Sequence, residues 1–237
     1  IANSIKNKIS ISYNSIPTFY KTSVEGHKGE FIYGNINNIP VMCAKGRFHY
    51  YEGYTFNEVG SIIEVFNHFN PKLCIVTNSA GCVNSDWKLG NFMLTECFID
   101  YSFIDSDTVQ FHHVTSKKYI KTVQNIAKKM KFNVFTGKYA YTTGPTYETP
   151  AEIKEILQLG GDAVGMSTFP EYLKSENINI ETLFISCLTN YAAGLIKNKE
   201  INHKDVLISA RKANNQFNKL LINIIVNIEL PKIQKIL

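Results

Sequence analysis

Arginine is scarce in this sequence. Only Arg47 and Arg211 occur, so the net charge of +5 comes almost wholly from lysine. The lysines are spread along the chain, with pairs at Lys117-Lys118 and Lys128-Lys129. Dispersed lysine is the pattern of solvated helix faces. No nucleic-acid-binding motif accompanies it, which argues against a nucleic-acid partner. The chain also lacks an apolar run of about 18 residues, so no membrane-spanning helix and no membrane partner are expected. It shows no basic start followed by an apolar signal region. The five cysteines (Cys43, Cys74, Cys82, Cys97 and Cys187) are odd in number, scattered and free of any CxxC pair. That excludes a disulfide framework and makes a zinc site unexpected. It fits a reducing compartment, and the expected location is the cytoplasm. Internal repeats, low-complexity linkers and breaks in composition are missing too, so residues 1–237 read as one domain.

What remains is ordinary globular material. With 44% hydrophobic and 19% charged residues, the chain can bury a sizeable core. Short apolar runs at 39–44, 73–77, 139–143, 162–166 and 182–188 read as strands. Apolar residues at helical spacing mark helices over 55–69, 115–131 and from His203 to about Asn227. Another helix is announced by its own start signals: Thr149 as N-cap, Pro150 at the first helical position and Glu152 where a capping-box partner belongs. Strands alternating with helices predict an α/β fold, a central sheet flanked by helices. Five of the strands run into polar clusters: GRFH, TNSAG, TTGPTYE, VGMS and LTN. Ligands of α/β sheets bind beyond the carboxyl ends of strands, so these clusters are candidates for one shared pocket.

The densest cluster is GRFHYYEGY, residues 46–54. The Arg47 guanidinium can grip a phosphate through two parallel hydrogen bonds, and His49 adds a second donor. Tyr50, Tyr51 and Tyr54 offer apolar ring faces with hydroxyls. This set suits an anion beside a sugar. It equally suits a strand-end ion pair between Arg47 and Glu52. NSAG, residues 78–81, reads as a small-residue turn after a strand, where backbone N–H groups can approach a ligand. Glu148 in GPTYETP either complements the dipole of the following helix or serves as an acceptor on a pocket floor. Met166 and Ser167 stand at a strand end. Singly, Met166 would be core, Asn190 a turn residue and His203 a cap.

Taken together, GRFHYYEGY, VTNSAG, GPTYETPAE, AVGMSTFPE and LTN resemble the trimeric purine nucleoside phosphorylases. IPTFYKTSVEGHKGEFIYG, residues 16–34, is similar to the early strands of that family. The resemblance spans roughly residues 12–206. It implies a single α/β domain around a mixed sheet, a homotrimer, and reversible phosphorolysis of a purine nucleoside to free base and ribose 1-phosphate. Inorganic phosphate is then a co-substrate, with no metal and no organic cofactor. Carried over residue by residue, the resemblance assigns phosphate to Arg47, His49, Ser79 and Ser167. It assigns the ribose to Tyr51, Met166 and His203, and the purine to Tyr147, Glu148 and Asn190. Asn78, Val206 and His27 line the same pocket, and Phe111 matches a phenylalanine that reaches into the neighbouring subunit. Glu148, Asn190 and His49 are the expected catalytic residues. Glu148 with Asn190 implies inosine and guanosine over adenosine. The family's glycine-rich, GSGLG-type phosphate turn falls upstream of IANSIKNK, so the expectation is a domain over 1–237 without that loop. Cys82 stands where the family has a second glycine, either crowding the turn or packing as a small apolar group. Two other readings stay open. A methylthioadenosine phosphorylase would be expected to use aspartates in place of this Glu and Asn. A catalytically silent nucleoside-binding homologue would suit the missing loop.

Overall fold

The computed structural model describes residues 1–24, 26–115, 117–196 and 203–228, with the side chains of 203–212 outside the description. The first three strands form an antiparallel meander: β1 (Lys6–Ser12), β2 (Glu30–Ile36) and β3 (Ile39–Lys45). The β2–β3 connection is the two-residue turn Asn37-Asn38, both at positive φ. That is the geometry a tight hairpin requires, and asparagine tolerates it better than most residues.

The second sheet carries β4 (Cys74–Cys82), β5 (Phe92–Asp100), β6 (Gln110–His113), β7 (Val134–Tyr141), β8 (Ala163–Gly165) and β9 (Thr182–Tyr191). Its neighbour order is β6-β5-β7-β8-β4-β9, and β9 pairs back onto β5. That last pairing, Phe92–Leu94 against Ile185–Cys187, closes five strands into a barrel and leaves β6 outside it. The ladders are mixed: β4–β9, β5–β7 and β7–β8 are parallel, and β4–β8, β5–β9 and β5–β6 antiparallel. The expected mixed sheet is therefore present as a barrel, and the meander is a separate second sheet.

Helices pack around these sheets. They are α1 (Phe56–Val59), α2 (Ser61–Asn67), α3 (Lys118–Lys129), α4 (Pro150–Gln158), α5 (Phe169–Asn177) and α6 (His203–Asn227). The helix expected over 55–69 is two short ones meeting at Gly60, where α5 comes so near that a Cβ would lie 2.7 Å from that of Lys174. Thr149, Pro150 and Glu152 open α4 as their chemistry dictates, with the reciprocal capping box formed. Tyr119, Val123 and Ile126 of α3 are buried as expected, whereas Met130 caps the helix half-buried. Helix α6 joins the two sheets. Leu220, Leu221 and Ile224 pack with the barrel residues Phe92, Leu183 and Ile185, while Ile222 and Ile225 lie against Ile5, Ile32 and Ile36 of the meander region.

One correction bears on the site. NSAG is not a turn after a strand but the interior of β4, which continues to Cys82. Cys82 is fully buried in the main core, packing as a small apolar group.

Candidate active site

The meander delivers the arginine. Beyond β3 the chain leaves the sheet at Gly46, and Arg47 crosses to the barrel. Its Nη1 donates to Ser167 Oγ (3.0 Å) and Thr168 Oγ1 (3.1 Å), and its Nη2 to the Thr77 carbonyl. β4 pairs with β8 only at Gly81 and Cys82, so that edge of Thr77–Ala80 has no strand partner from β8, and its Thr77 carbonyl is the one that takes the arginine. The ion pair of Arg47 is with Glu171, at 3.4 Å, and not with Glu52. Asn78 donates through Nδ2 to Thr168 Oγ1 (2.6 Å), while its own buried Oδ1 has no partner among the described residues. Arg47, Asn78 and Ser167 thus gather around one polar hub at Thr168, and Ser79 follows Asn78 on β4 without a bond to it. Ser79 is the exposed residue of that strand segment.

Thr168 is that hub, and its backbone is unusual. It is a β-branched residue at φ 79°, a conformation such side chains avoid. It is also the N-cap of α5, where Glu171 returns the bond by accepting from the Thr168 N–H (2.8 Å). Glu171 therefore ties the helix start and Arg47 to one buried carboxylate.

A stack of rings lies beside this hub. His49 is parallel to Tyr51 (4.7 Å between centroids) and to His27 (5.1 Å). His27 is pinned through Nδ1 to the backbone of Arg47. Glu52, the other acidic residue of the motif, holds His49: its Oε1 accepts from the His49 N–H (2.8 Å) and sits 3.2 Å from Nδ1. Its Oε2 gathers the Ser23 N–H (2.8 Å), Ser23 Oγ (3.2 Å) and Thr22 Oγ1 (3.3 Å). Burial, then the nearby Arg47 and His27, hold the His49 imidazole down to about 4, so it is neutral near pH 7. Burial pushes the Tyr51 hydroxyl up to about 12, so it stays a donor.

Met166 meets Tyr51 across Gly144. A Cβ at Gly144, itself at φ 67°, would fall 2.5 Å from Met166 Sδ and 2.9 Å from Tyr51 Cδ1. The next turn carries Tyr147, which is 38% exposed, and Glu148, which is buried. Thr142 Oγ1 donates to Glu148 Oε1 at 2.6 Å. Burial raises the carboxyl of Glu148 above its ordinary range, and the Thr142 hydrogen bond partly opposes this.

Asn190 arrives by a bulge. Ala80 pairs with Leu188 and Gly81 with Asn190, so Thr189 is the extra residue on β9. A bulge re-aims the side chains beside it. Thr189 Oγ1 donates to Asn190 Oδ1 (2.9 Å), and Nδ2 donates to the Tyr191 carbonyl (3.1 Å). This fixes which end of the amide is the donor. Just beyond β9, Gly194 packs against Pro150, which brings the Asn190 strand to the start of α4 and the Glu148 turn.

Of the remaining sequence-predicted residues, His203 and Val206 begin α6, and their side chains lie outside the described residues. Phe111 lies on β6, the strand outside the barrel, 45% exposed, with Lys138 Nζ 5.6 Å from its ring centre. Sequence reasoning paired Glu52 with the wrong residue and missed three supporting residues: Thr142, Thr168 and Glu171. For the last two the signal was present, since Thr168-Phe-Pro-Glu171 is a capping-box pattern.

Comparison with known proteins decides the family. A model of the phosphorylase superfamily matches residues 3–226. The chain belongs to the phosphorylase superfamily. Within it, the chain groups with the purine nucleoside phosphorylases and is a pentosyltransferase. It is 35% identical to purine nucleoside phosphorylase 1 of Geobacillus stearothermophilus, over 96% of this chain and 86% of that protein. The crystal structure of Schistosoma mansoni purine nucleoside phosphorylase in complex with inosine superposes with a TM-score of 0.87 at 31% identity, covering 98% of this chain and 87% of that one. The same enzyme in complex with adenosine gives 0.85 at 30% identity, with the same coverage.

Proposed function

We propose that this protein catalyses reversible phosphorolysis of 6-oxopurine nucleosides, inosine and guanosine and their deoxy forms, to free base and (deoxy)ribose 1-phosphate. The single observation that carries the reading is the pairing of two separate polar groups on one barrel. One is the Arg47–Ser167 cluster beside the exposed edge of β4. The other is the buried Glu148 on the turn that leads into α4, with Pro150 of that helix packed close to the end of the Asn190 strand.

Each group has a task. Arg47, Ser167, Ser79 and the backbone near Asn78 hold the phosphate dianion, with His49 beside it. Tyr51, Met166 and His203 contact the ribose, with Val206 and His27 beside it. As the glycosidic bond stretches, the ribose becomes oxocarbenium-like and the phosphate anion stabilises it. The electron pair moves onto the purine, and a donor from Asn190 at N7 meets the growing charge. A donor that strengthens only in the transition state raises kcat, and losing one typically costs ~10²–10³ in rate. Tyr147 covers the base.

Glu148 decides which base. An ionised carboxylate accepts the N1–H of a 6-oxopurine and meets only a lone pair on adenine. A buried mismatch of that kind can reject a substrate by roughly 10⁴–10⁵. The relative's adenosine complex shows that binding adenosine is open to that enzyme, so the decisive quantity here is turnover. The test is the ratio of kcat/KM for inosine to that for adenosine, measured on the natural protein that carries this chain. A ratio above about 100 is expected from an unpaired buried polar group, and equal turnover refutes the specificity. We further propose a cytoplasmic homotrimer in which Phe111 completes a neighbour's pocket. Five free cysteines, four of them buried, support a reducing compartment, and an exposed Phe111 outside the barrel supports the contact.

A further inference from the structure

We propose that Thr142 is a specificity-determining residue. Its hydroxyl keeps the base-reading carboxylate of Glu148 an acceptor and leaves Oε2 as the oxygen offered to purine N1–H. This rests on the function proposed above.

The geometry points to Thr142 in four ways. First, the Oγ1–Oε1 distance of 2.6 Å lies in the range of a hydroxyl bound to a carboxylate. Second, both residues are buried, each 8% exposed, so water is a poor substitute partner. Third, the donor is preorganised. Thr142 directly follows β7, and its N–H donates to the Gly165 carbonyl (3.0 Å) at the end of β8. The hydroxyl is thus held by two barrel strands, not by the turn that carries Glu148. Fourth, among the described residues no Lys, Arg or His forms an ion pair with Glu148. A buried carboxylate without a cation stays ionised only through donors.

The charged and titratable groups facing Glu148 are few. Glu152 in the first turn of α4 opposes its ionisation, and Tyr147 is its chain neighbour. Neither can replace the hydroxyl; the one other donor acting on the carboxylate among the described residues is the Glu148 N–H, a smaller influence than Thr142. If the donor is lost, protonated Glu148 becomes accessible at higher pH. A carboxyl protonated on Oε2 presents a donor there in place of the acceptor. It then loses the match to N1–H and gains one to the lone pair of adenine N1. Thr142 therefore acts on substrate choice through the protonation state of Glu148, without itself touching the base.

The test compares Thr142→Val, Thr142→Ser and Thr142→Cys with wild type, each checked for its unfolding midpoint. The readouts are the pH profile of kcat/KM for inosine and the inosine-to-adenosine ratio. Valine keeps the shape and removes the donor. It should move the acid limb of the inosine profile up by about 1–2 pH units, the size of a hydrogen bond to a charged group. The inosine-to-adenosine ratio should fall at least tenfold below that limb. Serine should restore both, and the weakly donating cysteine should lie between serine and valine. If valine does not fold, the cysteine–serine difference decides. An unmoved limb and ratio in an active, folded variant overturn the role of Thr142 alone. A wild type that does not cleave inosine with phosphate overturns the proposed function, and the role of Thr142 with it.

Discussion

Replacing Glu171 with alanine is the sharpest perturbation of the phosphate side. Glu171 is buried, and its two oxygens serve different partners. Oε1 faces Arg47 Nη1 at 3.4 Å, and Oε2 accepts the Thr168 N–H at 2.8 Å. Removing the carboxylate strands a guanidinium whose side chain is 17% exposed, with only hydroxyls and one carbonyl around it. Breaking a buried pair from one side costs about 3–5 kcal/mol. Loss of a capping interaction adds about 0.5–2 kcal/mol when it acts alone. The two share Thr168 and will not add, so about 3–5 kcal/mol in total is expected. Guanidinium chloride unfolding should show a lower midpoint with an unchanged slope. Glu171→Gln keeps an acceptor for Thr168 and should recover the cap portion only. Inorganic phosphate brings a negative charge back to Arg47, so it should raise the midpoint of the alanine variant more than that of wild type. A loss under about 1 kcal/mol, below any buried pair, refutes the reasoning. So does a midpoint indifferent to phosphate.

Three further outcomes are expected. His49 titrates at about 4 in the folded protein, held down by burial, against about 6.5 unfolded, so the unfolded chain binds more protons between these values. Stability should therefore fall as pH drops through that window, by at most about 3 kcal/mol, and His49→Gln should flatten the dependence measured by denaturant titration. Gly144→Ala forces a side chain onto φ 67° and into Met166 and Tyr51. It should lower stability by about 1–3 kcal/mol and raise the nucleoside KM more than the phosphate KM, read from unfolding curves and steady-state kinetics. Asn190→Ala should cut kcat by about 10²–10³ while the phosphate KM stays within a few-fold.

Local chemistry was the legible part of this protein. The start of α4 follows from Thr149, Pro150 and Glu152 alone, because a cap is decided within four residues. The polar strand ends were legible because apolar runs stop abruptly there. NSAG was read as a turn because small polar residues erase the apolar pattern of a strand. Only pairing with β9 reveals that β4 continues through them. Barrel closure is a contact between Phe92–Leu94 and Ile185–Cys187, too far apart in sequence for periodicity to register. The partner of Arg47 was likewise hidden by distance. Glu52 is near in sequence, yet it binds His49 and the 22–23 loop, while Glu171 arrives from α5. Thr142 carried no signal of its own, since a threonine after a strand is common and its meaning comes from Glu148 six residues on.

The central claim is that nucleoside cleavage here is carried by phosphate and not by water. Incubating the natural protein with inosine and inorganic phosphate, and following the mixture by phosphorus NMR, tests this directly. The account predicts that ribose 1-phosphate appears in step with hypoxanthine and that neither forms when phosphate is withheld. Hypoxanthine formed without a sugar phosphate, or bound inosine left intact in the presence of phosphate, would contradict it.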